Sequence, residues 1–170
     1  MVKYTKRTRY GSLHQRALMV DRDIMSLNRR HLSTEEIQGI VQPIFPEAIF
    51  IGNGRQKVVF AIPFRKSSAV LKVIKNTARM QHYLRPYIIL GETSRKRNLS
   101  FLKHYWNTQV CILQKKADPV DPSNEDQMRQ VRRLRKRCWM LCDLRLDNLG
   151  VINGKVKILD ASVKRSWGHQ

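Results

Sequence analysis

Apolar residues follow two rhythms along this chain. From Ala48 to Lys75 they come in short runs: Ala48-Ile49-Phe50, then Val58-Val59-Phe60 after a glycine-bearing stretch, then Ser68-Ala69-Val70-Leu71-Lys72-Val73-Ile74-Lys75. Runs of this length, rich in β-branched residues and broken by Gly52 and Gly54, predict strand, glycine turn, strand and a further strand. Val110-Cys111-Ile112-Leu113 and Val156-Lys157-Ile158-Leu159 predict two more, the last reached through Asn153-Gly154, a good hairpin turn. Elsewhere the period lengthens to that of a helix. Leu99, Leu102 and Trp106 predict a helix from Glu92 to about Tyr105, and Met128, Val131, Leu134, Cys138 and Leu141 predict one from Glu125 to about Leu141. Ser33 and Glu36 have capping-box spacing for a short helix, with Ile37, Ile40 and Val41 on one side, expected to end before Pro43. Strands in the first half and helix in the second make an α+β fold.

Composition adds one thing to this picture, which is charge. The 170 residues, 42% of them hydrophobic, suit one compact domain, but 33 Lys and Arg against 13 Asp and Glu leave a formal net charge of +20. Such a chain attracts acidic proteins, nucleic acid or anionic membrane. Lys3, Lys6, Arg7 and Arg9, interleaved with Tyr4 and Tyr10, give residues 1–30 the look of a basic, partly disordered arm. The strongest run lies on the Glu125 helix, where Arg129, Arg132, Arg133, Lys136 and Arg137 occupy the side away from the apolar stripe. An acidic protein substrate is expected to dock on this Arg129–Arg137 face, with nucleic acid or a ribosomal particle as the other anionic partners. No secretory signal and no membrane-length apolar stretch is seen, and three cysteines fit a reducing, cytoplasmic compartment. Cys138 and Cys142 lie one helical turn apart without further ligands nearby, so core packing outranks zinc.

Candidate chemistry concentrates near the end of the sequence. Asp143-Leu144-Arg145-Leu146-Asp147-Asn148 precedes the strand that Asp160 terminates. Phosphoryl transfer needs a group to orient and deprotonate the acceptor hydroxyl, together with cations on the phosphates. Asp143 suits the first task. Asn148 and Asp160 offer the hard oxygen donors magnesium prefers, and Arg145 brings positive charge close to Asp143. The ordinary alternative is a turn at Asp147-Asn148 and a hairpin strand ending at Asp160. Upstream, Gly52-Asn53-Gly54 would let backbone amides approach phosphate oxygens without intervening side chains. Lys72 lies inside an apolar strand on the same face as Val70, whereas Lys75 has the opposite parity and reads as a solvated terminal lysine.

These segments, in this order, resemble protein kinases. Gly52-Asn53-Gly54-Arg55-Gln56-Lys57-Val58-Val59 is similar to the glycine-rich loop G-x-G-x-x-G-x-V, Val70-Leu71-Lys72 falls where the family has its strand lysine, and Asp143 through Asn148 and then Asp160 match H-R-D-x-x-x-x-N and D-F-G. The resemblance implies ATP and magnesium as cofactors, Lys72 on the phosphates, Val59 against the adenine, and Asp143 as catalytic base. It further implies Asn148 and Asp160 on the metal, and Gln114 to Asp118 as a hinge. Glu92, the only acidic residue between Lys72 and the Val110 strand, would be the ion-pair partner of Lys72; a first-turn helix glutamate is the equal alternative. Arg145, where Ser/Thr kinases carry lysine, leans the acceptor towards serine or threonine.

There are departures from the family pattern. Lys57 replaces the third glycine, Leu141-Cys142 replaces His-Arg, and Asp160-Ala161-Ser162 replaces D-F-G. Control by loop phosphorylation is therefore not expected. Ten residues follow Asp160, so the resemblance is to an abridged kinase of the RIO, bacterial-effector or phage type, and host cytosol would be the site of action of a secreted effector. The expected fold is kinase-like and two-lobed: residues 31–118 form a small antiparallel-sheet lobe and 119–170 a reduced helical lobe, with Pro119 to Ser123 as linker. The rival readings are a catalytically weak kinase fold used for binding and a basic nucleic-acid-binding protein.

Overall fold

A computed structural model describes residues 11–64, 67–79, 102, 104–138, 141–142, 144–160 and 162–163. The chain divides into two compact units, residues 1–83 with 104–116, and 84–103 with 117–170.

The first unit begins with two helices, α1 (Gly11–Ser26) and α2 (Thr34–Ile44). Five strands follow: β1 (Ile49–Asn53), β2 (Lys57–Phe64), β3 (Ser67–Ile74), β4 (His104–Asn107) and β5 (Cys111–Lys115). They form one antiparallel sheet in the order β1-β2-β3-β5-β4. Alternation along the strands sends Val58, Phe60, Ile62, Ala69, Leu71, Val73, Cys111 and Leu113 to one face, where they join Ala17, Val20 and Ile24 of α1 and Ile37 and Val41 of α2 in a single core. α1 is tied to that core by Asp21. Its buried carboxylate accepts from the Thr108 hydroxyl at 2.7 Å and from the Gln109 and Val110 amides at 2.8 and 3.0 Å, which caps the β4–β5 turn. Close by, burial pushes the Cys111 thiol well above its ordinary pKa, with the Asp21 charge adding to the effect.

Several sequence expectations change here. Residues 11–26, expected within the basic, partly disordered arm of residues 1–30, are helical, with Leu13, Ala17, Val20 and Ile24 forming the stripe that packs on the core. The Ser33–Glu36 capping box is present, yet α2 runs through Pro43 to Ile44, since a proline in the last turn forfeits only the bond to the Gly39 carbonyl. Tyr105 and Trp106 are in β4, paired with β5, and do not extend a helix. Residues 80–101, with the rest of that expected helix, lie outside the described residues. Lys75 is 8% exposed, its amide donating to the Gln56 carbonyl and its carbonyl accepting from Leu32, so it is not a solvated strand end.

The second unit holds β6 (Asp118–Pro119), α3 (Glu125–Arg137), β7 (Leu141–Cys142), β8 (Leu149–Ile152), β9 (Lys155–Ile158) and β10 (Ser162–Val163). β6, β8 and β9 make a three-stranded sheet, and β7 pairs with β10. Val131, Leu134 and Cys138 pack with Val120, Leu149, Val151, Val156 and Ile158. α3 starts at an Asn124 cap and stops at Arg137, short of Leu141, whose residue pairs with Val163 in the β7–β10 ladder. Pro119, expected in a linker, pairs with Gly150. Gly150 has no room for a side chain: an added Cβ would stand 2.7 Å from that of Ala117.

Candidate functional site

Strand register lines up the upstream candidates. Gly52 is opposite Val59, Val59 opposite Lys72 and Lys72 opposite Ile112; two residues along, Ala61, Val70 and Gln114 form the next row. Directly paired residues share a face. Val59, Val70, Lys72 and Gln114 therefore lie together on the side of the sheet away from the α1–α2 core. On that face Val70, Lys72 and Gln114 are 9, 8 and 2% exposed, whereas Val59 and Ala61 are half-buried. Gly52 and Gly54 both have ordinary negative φ values, and a Cβ at Gly52 would meet nothing within 4 Å. Gly52 thus has open space at its backbone, while a Cβ at Gly54 would stand 3.6 Å from the Lys57 carbonyl oxygen. Asn53, the exposed end of β1, pairs with Val58, and the Gly54 amide donates to the Lys57 carbonyl at 2.9 Å, closing the turn.

In the second unit one carbonyl organises the downstream candidates. A 3₁₀ turn at Leu146–Asn148 leads into the β8–β9 hairpin, which Asn153 (φ 51°) and Gly154 (φ 70°) close in the left-handed conformation. At the hairpin's open end the Asn148 carbonyl accepts from the Leu159 amide at 2.9 Å and the Asp160 amide at 3.3 Å. Asn148 and Asp160 are thereby adjacent, and both are half-buried. Their residue types, an amide and a carboxylate, are ones magnesium accepts, an ion that takes few protein ligands and completes its shell with water and phosphate oxygens. Among the described residues no cluster of three or more His, Cys, Asp or Glu exists to hold a metal by itself. Arg145 precedes the turn, exposed, with its guanidinium 3.5 Å from the Asp147 carboxylate. Asp143 and Glu92 lie outside the described residues. Cys142, before Asp143, pairs with Ser162, and the carbonyl of Leu144, after it, accepts from Arg135 Nε at 3.0 Å.

Some contributors were not singled out from the sequence. Gln114, expected in a hinge, belongs to β5 and lies buried opposite Val70; a polar residue directly after Val110–Leu113 was its signal, but its face depends on pairing. Gln130 of α3 donates to the Gly154 carbonyl and accepts from the Val156 amide, holding the hairpin. Arg135, whose Nε reaches the Leu144 carbonyl, carries no signal in the sequence beyond its place on a basic helix. The exposed outer side of α3 does carry Arg129, Arg132, Arg133, Lys136 and Arg137, and Arg129 approaches Asp126 at 3.4 Å. No helix among the described residues is long and apolar enough to cross a membrane.

No protein-family model matches the chain, and no curated protein matches it in sequence. Among solved structures it is similar to a crystal structure of a kinase domain, at 15% identity and a TM-score of 0.41, over 73% of this chain and 54% of that one. The chain thus spans about half the length of the kinase domain it matches.

Proposed function

We propose that the chain is a minimal kinase that moves the γ-phosphoryl group of ATP, with magnesium, to serine or threonine hydroxyls of a protein. The observation that carries this reading is the backbone hydrogen bond from the Asp160 amide to the Asn148 carbonyl, which sets two residues twelve positions apart, each with a side-chain oxygen, next to each other along the backbone. The row Gly52–Val59–Lys72 lends support from the first unit. In this reading Val59 and Val70 form the apolar bed for adenine, Lys72 neutralises phosphate charge, and Asn148 with Asp160 holds magnesium, which offsets the charge developing on the transferred group. Asp143 orients the acceptor hydroxyl and takes its proton. Arg145 steadies the phosphoryl group, and Glu92 positions Lys72. The acceptor is an acidic protein that docks on the outer side of α3.

Incorporation of label from [γ-³²P]ATP into acidic proteins, compared between wild type, Asp143→Ala and Lys72→Ala, tests the proposal. Label confined to the wild type is the expected result, and label persisting in both variants excludes the assignment. The altered Asp160-Ala161-Ser162 segment favours a second reading, a weakly active fold used for binding, whose sign is magnesium-ATP binding without transfer. Tight nucleic-acid binding with a steep salt slope and indifference to magnesium-ATP would instead point to a nucleic-acid-binding protein.

A further inference from the structure

The outer side of α3 is more cationic than its own stability calls for. Arg129 approaches Asp126, and Arg135, Lys136 and Arg137 stand in the last turn, where positive charge suits the helix dipole. Arg132 and Arg133 lie ahead of that turn and gain nothing from it. Both are exposed, and among the described residues neither they nor Lys136 and Arg137 have an ion-pair partner. Like charges four residues apart, as in Arg132 with Lys136 and Arg133 with Arg137, destabilise a helix, and mixed signs serve solubility equally well. Neither folding nor solubility accounts for the stripe. Arg135 shows which way it faces: its Nε donates to the Leu144 carbonyl at 3.0 Å, so this edge of α3 lies against the loop that carries Asp143. Arg132, one turn before Arg135, and Lys136, one turn after Arg132, form the row nearest that loop, with Cβ atoms about 5–6 Å apart. Gln130, which holds the β8–β9 hairpin, marks the opposite edge. Alternate side chains of an extended peptide point the same way about 6–7 Å apart, close to the spacing of the row. α3 has no aromatic side chain on which a nucleic-acid base could stack, which favours a peptide as the occupant.

We propose that Arg132 and Lys136 set substrate specificity by pairing with acidic side chains at alternate positions of an extended acceptor segment, about three to five residues from the hydroxyl that is phosphorylated. This inference rests on the kinase reading above and adds to it which cations read the acceptor and where its acids stand. Transfer from magnesium-ATP to serine peptides of equal length is measured for the wild type, Arg132→Gln/Lys136→Gln and Arg132→Glu/Lys136→Glu. The peptides carry neutral residues throughout, or two aspartates about three and five residues from the serine on one side or the other, or two lysines at those places. For the wild type, kcat/KM on the better aspartate peptide should exceed that on the neutral one about tenfold, the ratio two exposed ion pairs supply. The glutamine variant should bring that ratio close to one. Charge reversal should invert it, with the lysine peptide now preferred, a gain that damage to the fold does not produce. Equal wild-type rates on neutral and aspartate peptides overturn the proposal, as does an aspartate preference that survives charge reversal. A single-stranded RNA oligonucleotide that binds the wild type more tightly than the aspartate peptide, and is released by charge reversal, overturns it in favour of nucleic acid. Absence of transfer to every peptide by the wild type overturns the kinase reading and this inference together, and it is told apart because the first two results retain transfer to the neutral peptide.

Discussion

The two faces of the five-stranded sheet are made of different things. One carries Val58, Phe60, Leu71, Val73 and Leu113 and is closed by the apolar stripes of α1 and α2. The other sets Lys57, Lys72 and Gln114 among Val70, Ile74 and Ile112, each of them 9% exposed or less. Burial on the first face is explained by hydrophobic transfer alone. On the second face burial also requires polar pairing, because covering ammonium and amide groups costs free energy unless they are partnered, and Lys57, Lys72 and Gln114 each have a partner in the structure. The lysine-bearing face is the one our proposal assigns to nucleotide binding, and the apolar face is where stability resides.

Substitutions on opposite faces should therefore separate stability from activity. Phe60→Ala, on the core face, is expected to cost about 3–5 kcal/mol in denaturant unfolding. Lys72→Met should lower phosphoryl transfer about a hundredfold or more with little change in the unfolding midpoint. A Lys72→Met variant that unfolds like Phe60→Ala would erase the distinction. The core side also has a polar fastening, and Asp21→Ala, which strands the Thr108 hydroxyl and two amides, should cost on the order of 3 kcal/mol.

The same contrast recurs on α3 between neighbours. Leu134 enters the second unit's core, whereas Arg135 reaches out to the Leu144 carbonyl beside Asp143. Arg135→Ala should reduce kcat about tenfold with KM for ATP unchanged, and Arg135→Lys should recover part of it, as expected for a residue that positions the loop. Loss of melting temperature without loss of kcat would make it merely structural.

The smallest effect concerns pH. Arg16 bonds both Glu47 carboxylate oxygens at 2.7 Å, holding that carboxyl below its usual value of 4.5. A lowered folded-state value means stability present above the ordinary carboxylate range and lost as pH falls through the lowered one. The melting-temperature gap between wild type and Glu47→Gln should accordingly be open at pH 7 and shrink below about pH 4.5. A gap that widens on acidification would reverse the assigned sign.

Local patterns predicted the elements whose own chemistry decides them. The Ser33–Glu36 box, the Asn153–Gly154 turn and the Met128–Cys138 stripe each need only a few neighbouring residues, and all three are present. The α1 stripe of Leu13, Ala17, Val20 and Ile24 is interrupted by Arg16, Asp21, Arg22 and Asp23, and the end of the helix expected from Glu92, at Tyr105 and Trp106, is strand because pairing with β5 outweighs spacing. For the site, parity along one strand was legible, so Val70 and Lys72 were placed on one face. The rows that add Val59 and Gln114 depend on register between strands, which no local pattern encodes. The meeting of Asn148 with Asp160 likewise follows from closure of the hairpin between them.

The most direct test of the central claim is mass-spectrometric mapping of phosphorylation sites in cells expressing the wild type or Asp143→Ala. The account predicts phosphoserine and phosphothreonine sites that appear with the wild type and are missing with the variant. Identical sets of sites in the two would contradict it.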